Sequence, residues 1–277
     1  MGENNKIKDL VKQKYSEIAL QTNAGESCCG SSCCTVEVYN IMNDDYSKLN
    51  GYEADADLGL GCGLPTRYAG IKQGNTVIDL GSGAGNDCFI ARAEVGESGK
   101  VIGIDFTEAM IEKAQKNAQK RGYNNVSFRK GDIENMPVGG NLADVIISNC
   151  VLNLLPAKDK IFHEIFRVLK PEGHFCISDI VLNGELPEGL LQAAEMYAGC
   201  VAGAIQKNEY LVQIYSAGFE NVKIKKEKDI IIPDEILEKY LDTENLALFK
   251  KNNSNIISSI TVTGTKPAAC NCGSGCC

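Results

Sequence analysis

A short apolar run, Thr76–Leu80, passes directly into Asp79-Leu-Gly81-Ser-Gly83-Ala-Gly85-Asn-Asp and then into residues with helical spacing. Alternating glycines permit a turn too tight for other residues and let a ligand approach bare backbone amides. A strand that opens a helix through such a loop predicts a sheet with a binding crevice at its carboxyl edge. Four further runs read as strands: Lys100–Asp105, Val126–Arg129, Ala143–Asn149 and Gly173–Leu182. Helical patterns alternate with them over 86–95, over 107–121 with Thr107 as cap, and over 158–169, stopped by Pro171. Repeated βα units of this length predict a doubly wound, mostly parallel sheet with right-handed crossovers.

The flanks are less regular. Residues 3–20 have the spacing of an amphipathic helix, with Ile7, Leu10, Val11, Ile18 and Ala19 on one face. The Cys/Gly/Ser stretch 25–34 breaks it. Leu58-Gly-Leu-Gly-Cys62-Gly-Leu-Pro65 is too rich in glycine and proline for regular structure, so it predicts a loop carrying Cys62. Beyond residue 183, helices over 187–203 and 207–217 and strands near 219–226 and 256–265 predict a smaller C-terminal α+β region. The expected organisation is an N-terminal helix and Cys-rich segment (1–50), a cofactor-binding domain (51–185), a substrate-side region (186–266) and a flexible Cys-rich tail (267–277).

Composition excludes several classes. A net charge of −8 argues against a nucleic-acid binder. No apolar run approaches the roughly 18 residues of a membrane span. The start, MGENNKIKDL, lacks an apolar signal core, so a cytoplasmic location is expected. No long apolar helix face demands a partner, so the chain is expected to be a monomer. Only two histidines, His163 and His174, nearly exclude a His-rich zinc enzyme, and both are expected to be structural.

The chain contains 13 cysteines. An odd total without a signal segment argues for soft-metal or redox chemistry over a secreted disulfide framework. Cys28, Cys29, Cys33 and Cys34 cluster near the start; Cys270, Cys272, Cys276 and Cys277 end the chain; Cys62, Cys88, Cys150, Cys176 and Cys200 are scattered. Cys29-Gly-Ser-Ser-Cys-Cys34 matches Cys272-Gly-Ser-Gly-Cys-Cys277 position by position. Two readings of these clusters stand side by side: flexible thiol-rich tails, or capture of soft metals and metalloids. Cys88 and Cys176 are expected in the core.

The glycine loop differs from a nicotinamide loop, G-x-G-x-x-G, in that its third glycine comes one residue early. Asp105 ends the second strand, where a carboxylate suits both hydroxyls of a ribose. Gly131-Asp132-Ile133-Glu134 follows the third strand. Together these resemble the class I S-adenosylmethionine-dependent methyltransferases, whose fold is Rossmann-like. The resemblance assigns Asp79, Gly81, Gly83, Gly85, Asp105, Asp132, Ile133, Glu134 and Asn149 to the cofactor pocket, with an acidic residue of the Asp132 region on the adenine amino group. Carboxylates there also offset the charge of a sulfonium.

Three cysteine motifs add to this. The fourth strand runs into Ser148-Asn149-Cys150-Val-Leu-Asn-Leu, at the edge where ligands sit. It lacks the Pro-Pro-aromatic motif of amino-methylating members. With Leu58-Gly-Leu-Gly-Cys62-Gly, Cys200-Val-Ala-Gly-Ala and Leu20-Gln-Thr-Asn before a Cys cluster, it resembles the arsenite methyltransferases, over residues 10–217. The resemblance implies methyl transfer to trivalent arsenic held by Cys62, Cys150 and Cys200. It also implies a fourth cysteine that forms a disulfide with Cys62. Cys28, Cys29, Cys33 and Cys34 all qualify, with Cys29 taken first. Arsenite and methylated arsenicals are then the substrates, a thiol reductant (thioredoxin or glutathione) restores the enzyme, and the activity serves arsenic detoxification. Two other readings remain: C-methylation of a quinone-like molecule, which has no use for the three thiols, and a soft-metal-binding thiol protein, which has no use for the glycine loop.

Overall fold

The computed structural model describes residues 3–20, 44–191, 201, 203–252 and 256–269. Seven strands form one sheet: β1 (Thr76–Leu80), β2 (Lys100–Asp105), β3 (Val126–Lys130), β4 (Ala143–Asn149), β5 (Leu169–Leu182), β6 (Glu220–Asp229) and β7 (Ile257–Thr265). Their order is β3-β2-β1-β4-β5-β7-β6, with β1 to β5 parallel and β7 antiparallel to both its neighbours. This is the expected doubly wound, mostly parallel sheet. The strands anticipated beyond residue 183 extend it.

The described helices are α1 (Glu3–Leu20), α2 (Pro65–Tyr68), α3 (Asn86–Val95), α4 (Glu108–Lys120), α5 (Lys158–Val168), α6 (Glu188–Leu191), α7 (Lys207–Ser216), α8 (Asp234–Tyr240) and α9 (Thr243–Asn252). Side chains of a strand alternate between faces. Thus Val77, Val101 and Val145 pack with Phe89 of α3 and Ala114 of α4. Ile78, Ile102 and Ile146 pack on the other face with Phe162 of α5 and Tyr210 of α7. Burial on both faces explains why these strands read as nearly continuous apolar runs. Among the described residues no helix is long and apolar enough to cross a membrane.

Three expectations need correction. Helix α5 ends at Val168, and the chain enters β5 at Leu169, so Pro171 does not stop a helix. Leu169 pairs with Ala143 and regular pairing resumes at His174 with Val145; Pro171 occupies the irregular stretch, where its missing N–H breaks no ladder bond. Thr107 holds the N-cap position of α4, but its side chain makes no cap hydrogen bond. Helices α8 and α9 fall where no helix was anticipated. Of the helix expected over 187–203, only α6 is described, and residues 192–200 lie outside the described residues. The tail cysteines, Cys270 to Cys277, also lie outside. Strand β7 runs from Ile257 beside Leu182 to Thr265 beside His174, so the chain reaches Lys266 at the end of the sheet opposite the strands' carboxyl edge.

Asp179 on β5 is fully buried and accepts a hydrogen bond from Tyr210 Oη at 3.3 Å. Burial pushes its carboxyl up to about 7, against the pull of Lys158, the Ile180 amide and Tyr210. An acid whose folded pKa is raised binds its proton more tightly when folded. Its stabilising effect is complete below the unfolded value, about 3.9, and is lost as pH rises through the folded one. Between about pH 5 and 8, the stability of Asp179→Asn is expected to improve relative to wild type by roughly 2–3 kcal/mol. Urea unfolding at the two pH values measures this, and a difference independent of pH would reject it.

A candidate active site at the carboxyl edge of the sheet

The glycine loop after β1 closes on β2. The amides of Gly81 and Ser82 both donate to the Ile104 carbonyl, at 2.8 and 3.0 Å. Gly81 and Gly83 have φ of +68° and +50°, a region that favours glycine. A Cβ on Gly83 would meet nothing within 4 Å, because the loop borders an open cleft there. Gly85 forms the N-cap of α3. The Gly83 amide donates to Asp105 Oδ2 at 3.1 Å and the Thr107 amide to Asp105 Oδ1 at 2.8 Å. The loop and the carboxylate that ends β2 are thereby fixed to each other.

The cleft is open to solvent and is lined by Asp79, Gly81, Gly83, Asp105, Asn149 and Cys150, among others. A smaller neighbouring space shares Gly81, Asp105 and Phe106 and adds Asp132 and Ile133. Lys8 of α1 borders this space and donates to Asp132 Oδ2 and Glu134 Oε2, both at 2.7 Å. Glu134 therefore faces Lys8. Helix α1 also contributes Tyr15 to the main cleft, so it borders both spaces.

The electrostatics favour a cation. Burial, with the charge of Asp87 nearby, holds the Asp79 carboxyl well above the usual carboxylate range, although the Cys88 thiol donates to its Oδ2 at 3.3 Å. Burial pushes Asp87 up to about 6, while Asn149 and Tyr46 draw it down. Burial also raises Asp105, against the amides of Thr107 and Gly83. Three buried carboxyls that resist ionisation are relieved by a positively charged ligand. Ser82 Oγ, Asn86 Oδ1 and Asp87 Oδ1 belong to residues that line the cleft and, although buried, have no hydrogen-bond partner among the described residues. Buried polar atoms normally have one. A ligand with amino and hydroxyl groups and a sulfonium fits this set, so the residues present suit S-adenosylmethionine.

Two of the expected thiols lie near this cleft: Cys150 lines it, and Cys62 follows Gly61, which also lines it. Cys62 and Cys150 are 1% and 4% exposed and share a buried cluster with Val11 and Val201. Cys150 has φ of +59°, a conformation costing a residue with a Cβ about 1–2 kcal/mol, and its amide donates to the Ser178 carbonyl at 2.8 Å. Cys29 and Cys200 lie outside the described residues, although Val201, the next residue after Cys200, is fully buried in the same cluster. Among the described residues no group of three or more His, Cys, Asp or Glu side chains could hold a metal ion.

Asn149 borders the cleft as expected, but its side chain is engaged with protein. Its Oδ1 accepts from the Cys62 amide at 3.1 Å, and its Nδ2 donates to the Gly63 carbonyl, Asp87 and Tyr46. Tyr46 and Asp87 were not singled out in the sequence. Asp87 stands two residues after the last loop glycine, which is a usable signal; Tyr46 sits in a polar connector and gives none. Cys88 and Cys176 are buried in the core, with burial pushing the Cys176 thiol up to about 12. His163 is exposed and His174 meets the Ala69 carbonyl; neither borders the cleft.

Residues 71–218 match the family model described as a methyltransferase domain. The chain is 41% identical over 234 residues to an arsenite methyltransferase of Halobacterium salinarum, covering 78% of this chain and 58% of the relative. It is 36% identical over 239 residues to one of Aquipseudomonas alcaligenes, covering 83% and 67%. The crystal structure of an arsenic (III) S-adenosylmethionine methyltransferase from Chlamydomonas reinhardtii aligns with a TM-score of 0.62 at 33% identity. That alignment covers 75% of this chain and 68% of the other. The chain thus spans about three fifths to two thirds of the length of these proteins.

Proposed function

The chain belongs to the arsenite methyltransferases, within the class I methyltransferases, and from that membership we propose that it transfers methyl groups from S-adenosylmethionine to trivalent arsenic bound by Cys62, Cys150 and Cys200. The observation that carries this reading is the shared buried cluster of Cys62 and Cys150, with Cys150 lining the cleft of the glycine loop and its carboxylates.

Trivalent arsenic is soft, and thiolates are its preferred ligands by the softness argument that governs metals. Three sulfurs leave its lone pair exposed as the nucleophile. That lone pair has no proton to lose, so no general base is needed, in keeping with a cleft that neither histidine borders. Bound S-adenosylmethionine supplies an electrophilic methyl on a cationic sulfur. Asp105 would hold its ribose, Asp132 and Ile133 its adenine, and Asp79 with Asp87 its amino group. The protein's remaining task is to fix the arsenic beside this pocket and exclude water, the contribution of positioning.

Methylation oxidises arsenic by two electrons, from the trivalent to the pentavalent state. A disulfide formed between Cys62 and one N-terminal cysteine, Cys29 first among the four, returns them. Thioredoxin or glutathione then reduces that disulfide. Such chemistry suits a reducing cytoplasm and a role in detoxification, and a monomer suffices for it.

Purified protein given arsenite, S-adenosylmethionine and a thiol should release methylated arsenicals, seen by arsenic-speciation mass spectrometry, with matching S-adenosylhomocysteine. Absence of both would overturn the proposal. In a single turnover without external reductant, peptide mapping should find the Cys62 disulfide.

A further inference from the structure

The loop carrying Cys62 is held on both sides of that residue. The Cys62 amide donates to Asn149 Oδ1 at 3.1 Å. The Cys62 carbonyl accepts from Ser259 Oγ at 2.6 Å. The Gly63 carbonyl accepts from Asn149 Nδ2 and from Tyr46 Oη, both at 2.9 Å. Tyr46 Oη and Asn149 Nδ2 each also reach Asp87 Oδ2 at 3.1 Å, and the two residues bond each other.

Three hydrogens serve these five contacts of Asn149 Nδ2 and Tyr46 Oη, so only three are bonded at a time, one to each acceptor. Asn149 Nδ2 carries two and Tyr46 Oη one. The Gly63 carbonyl, Asp87 Oδ2 and Tyr46 Oη itself provide three acceptors. Tyr46 is 4% exposed, so a missing partner would be costly. The glycines flanking Cys62 follow from the same contacts. A Cβ on Gly61 would lie 2.7 Å from Asn149 Nδ2, and one on Gly63 2.5 Å from Ser178 Oγ.

Asn149 is also the residue before Cys150, whose amide is fixed to the Ser178 carbonyl. One side chain therefore grips the backbone of the first thiol while the adjacent residue presents the second. We infer that Asn149 and Tyr46 are positioning residues that set the Cys62 thiol against the Cys150 thiol, so that arsenic loads at a defined place beside the cleft. The inference rests on the thiol reading above. Asp87 joins this network to the cofactor cleft, because its Oδ2 lies in the network while the residue lines the cleft and its Oδ1 has no partner among the described residues.

The test uses the full chain and four proteins: wild type, Tyr46→Phe, Asn149→Ala and Cys62→Ser. Arsenite affinity is measured by equilibrium dialysis, the number of sulfurs on bound arsenic by X-ray absorption, S-adenosylhomocysteine affinity by calorimetry, and folding by thermal melts. Tyr46→Phe removes only a hydroxyl and is expected to weaken arsenite binding about fivefold to tenfold. Asn149→Ala is expected to weaken it about 100-fold, with fewer sulfurs on arsenic. For Tyr46→Phe, S-adenosylhomocysteine affinity should stay within about threefold of wild type; Asn149 itself borders the cofactor cleft, so its variant is read by arsenite affinity and sulfur count.

In Tyr46→Phe, a merely structural role would lower both affinities together with the melting temperature, and that result overturns the inference. So does an unchanged arsenite affinity in both variants while Cys62→Ser loses it. If Cys62→Ser itself binds arsenite like wild type, the thiol reading has failed instead.

Discussion

Replacing Cys150 by serine should slow arsenic methylation at least about 10³-fold and leave S-adenosylhomocysteine affinity within about twofold of wild type. The change is nearly isosteric. Serine tolerates the left-handed backbone at φ +59° no worse than cysteine does, and the amide keeps its bond to the Ser178 carbonyl. What disappears is a soft, polarisable ligand; the hydroxyl that replaces it is hard and remains protonated at neutral pH. A 10³-fold loss corresponds to about 4 kcal/mol, a modest demand for removing one of the three arsenic–sulfur bonds proposed above. Cys176→Ser is the matched control. Cys176 is equally buried but lies deeper along β5, within the cluster covered by α3 and α4, so its replacement should lower stability and leave arsenite turnover near wild type. Single-turnover product analysis with calorimetry for the cofactor product decides both. A Cys150→Ser enzyme retaining more than a tenth of wild-type turnover would remove this residue from the arsenic site.

The contrast between Cys150 and Tyr46 shows what a sequence can and cannot convey. Strand β4 is visible because both its faces are covered, which forces Ala143–Asn149 to be apolar, and strand polarity then places Asn149 and Cys150 at the ligand-bearing edge. Nothing comparable marks Tyr46. Its partners are Gly63, Asp87 and Asn149, residues far apart in the chain that meet only after the sheet has formed. Asn149 was legible as a residue of the cleft but not as the holder of Cys62, because that role depends on a loop with no regular structure of its own. Thr107 was placed correctly as the cap residue from local chemistry, yet in the folded chain its amide serves Asp105. Helices α8 and α9 escaped notice because they are short and mostly polar, so neither presents a clear apolar stripe.

The other large effect is expected at Gly81, where backbone strain and steric conflict can be separated. Gly81→Ala imposes a side chain at φ +68°, which costs about 1–2 kcal/mol. Its Cβ would also lie 2.4 Å from Val151 Cγ2 and 2.6 Å from Val151 Cγ1, an overpacking worth about 1–3 kcal/mol. Val151 immediately follows Cys150, so the displacement is delivered to the thiol turn as well as to the cofactor loop. Gly81→Ala should therefore lower stability by roughly 2–5 kcal/mol and weaken both S-adenosylhomocysteine and arsenite binding. Adding Val151→Ala removes the clashing methyl groups and should recover the arsenite affinity, while the φ cost persists. Gly83→Ala provides the contrast. At φ +50° with no atom within 4 Å, it costs little beyond the backbone term, but its methyl projects into the cleft. Cofactor affinity should then fall on the order of 100-fold, in a protein only about 1 kcal/mol less stable than wild type. Melting curves and calorimetry on the four proteins distinguish these outcomes. Wild-type affinity for S-adenosylhomocysteine in Gly83→Ala would mean that the cofactor does not lie against this loop, and the assignment of the cleft would fall with it.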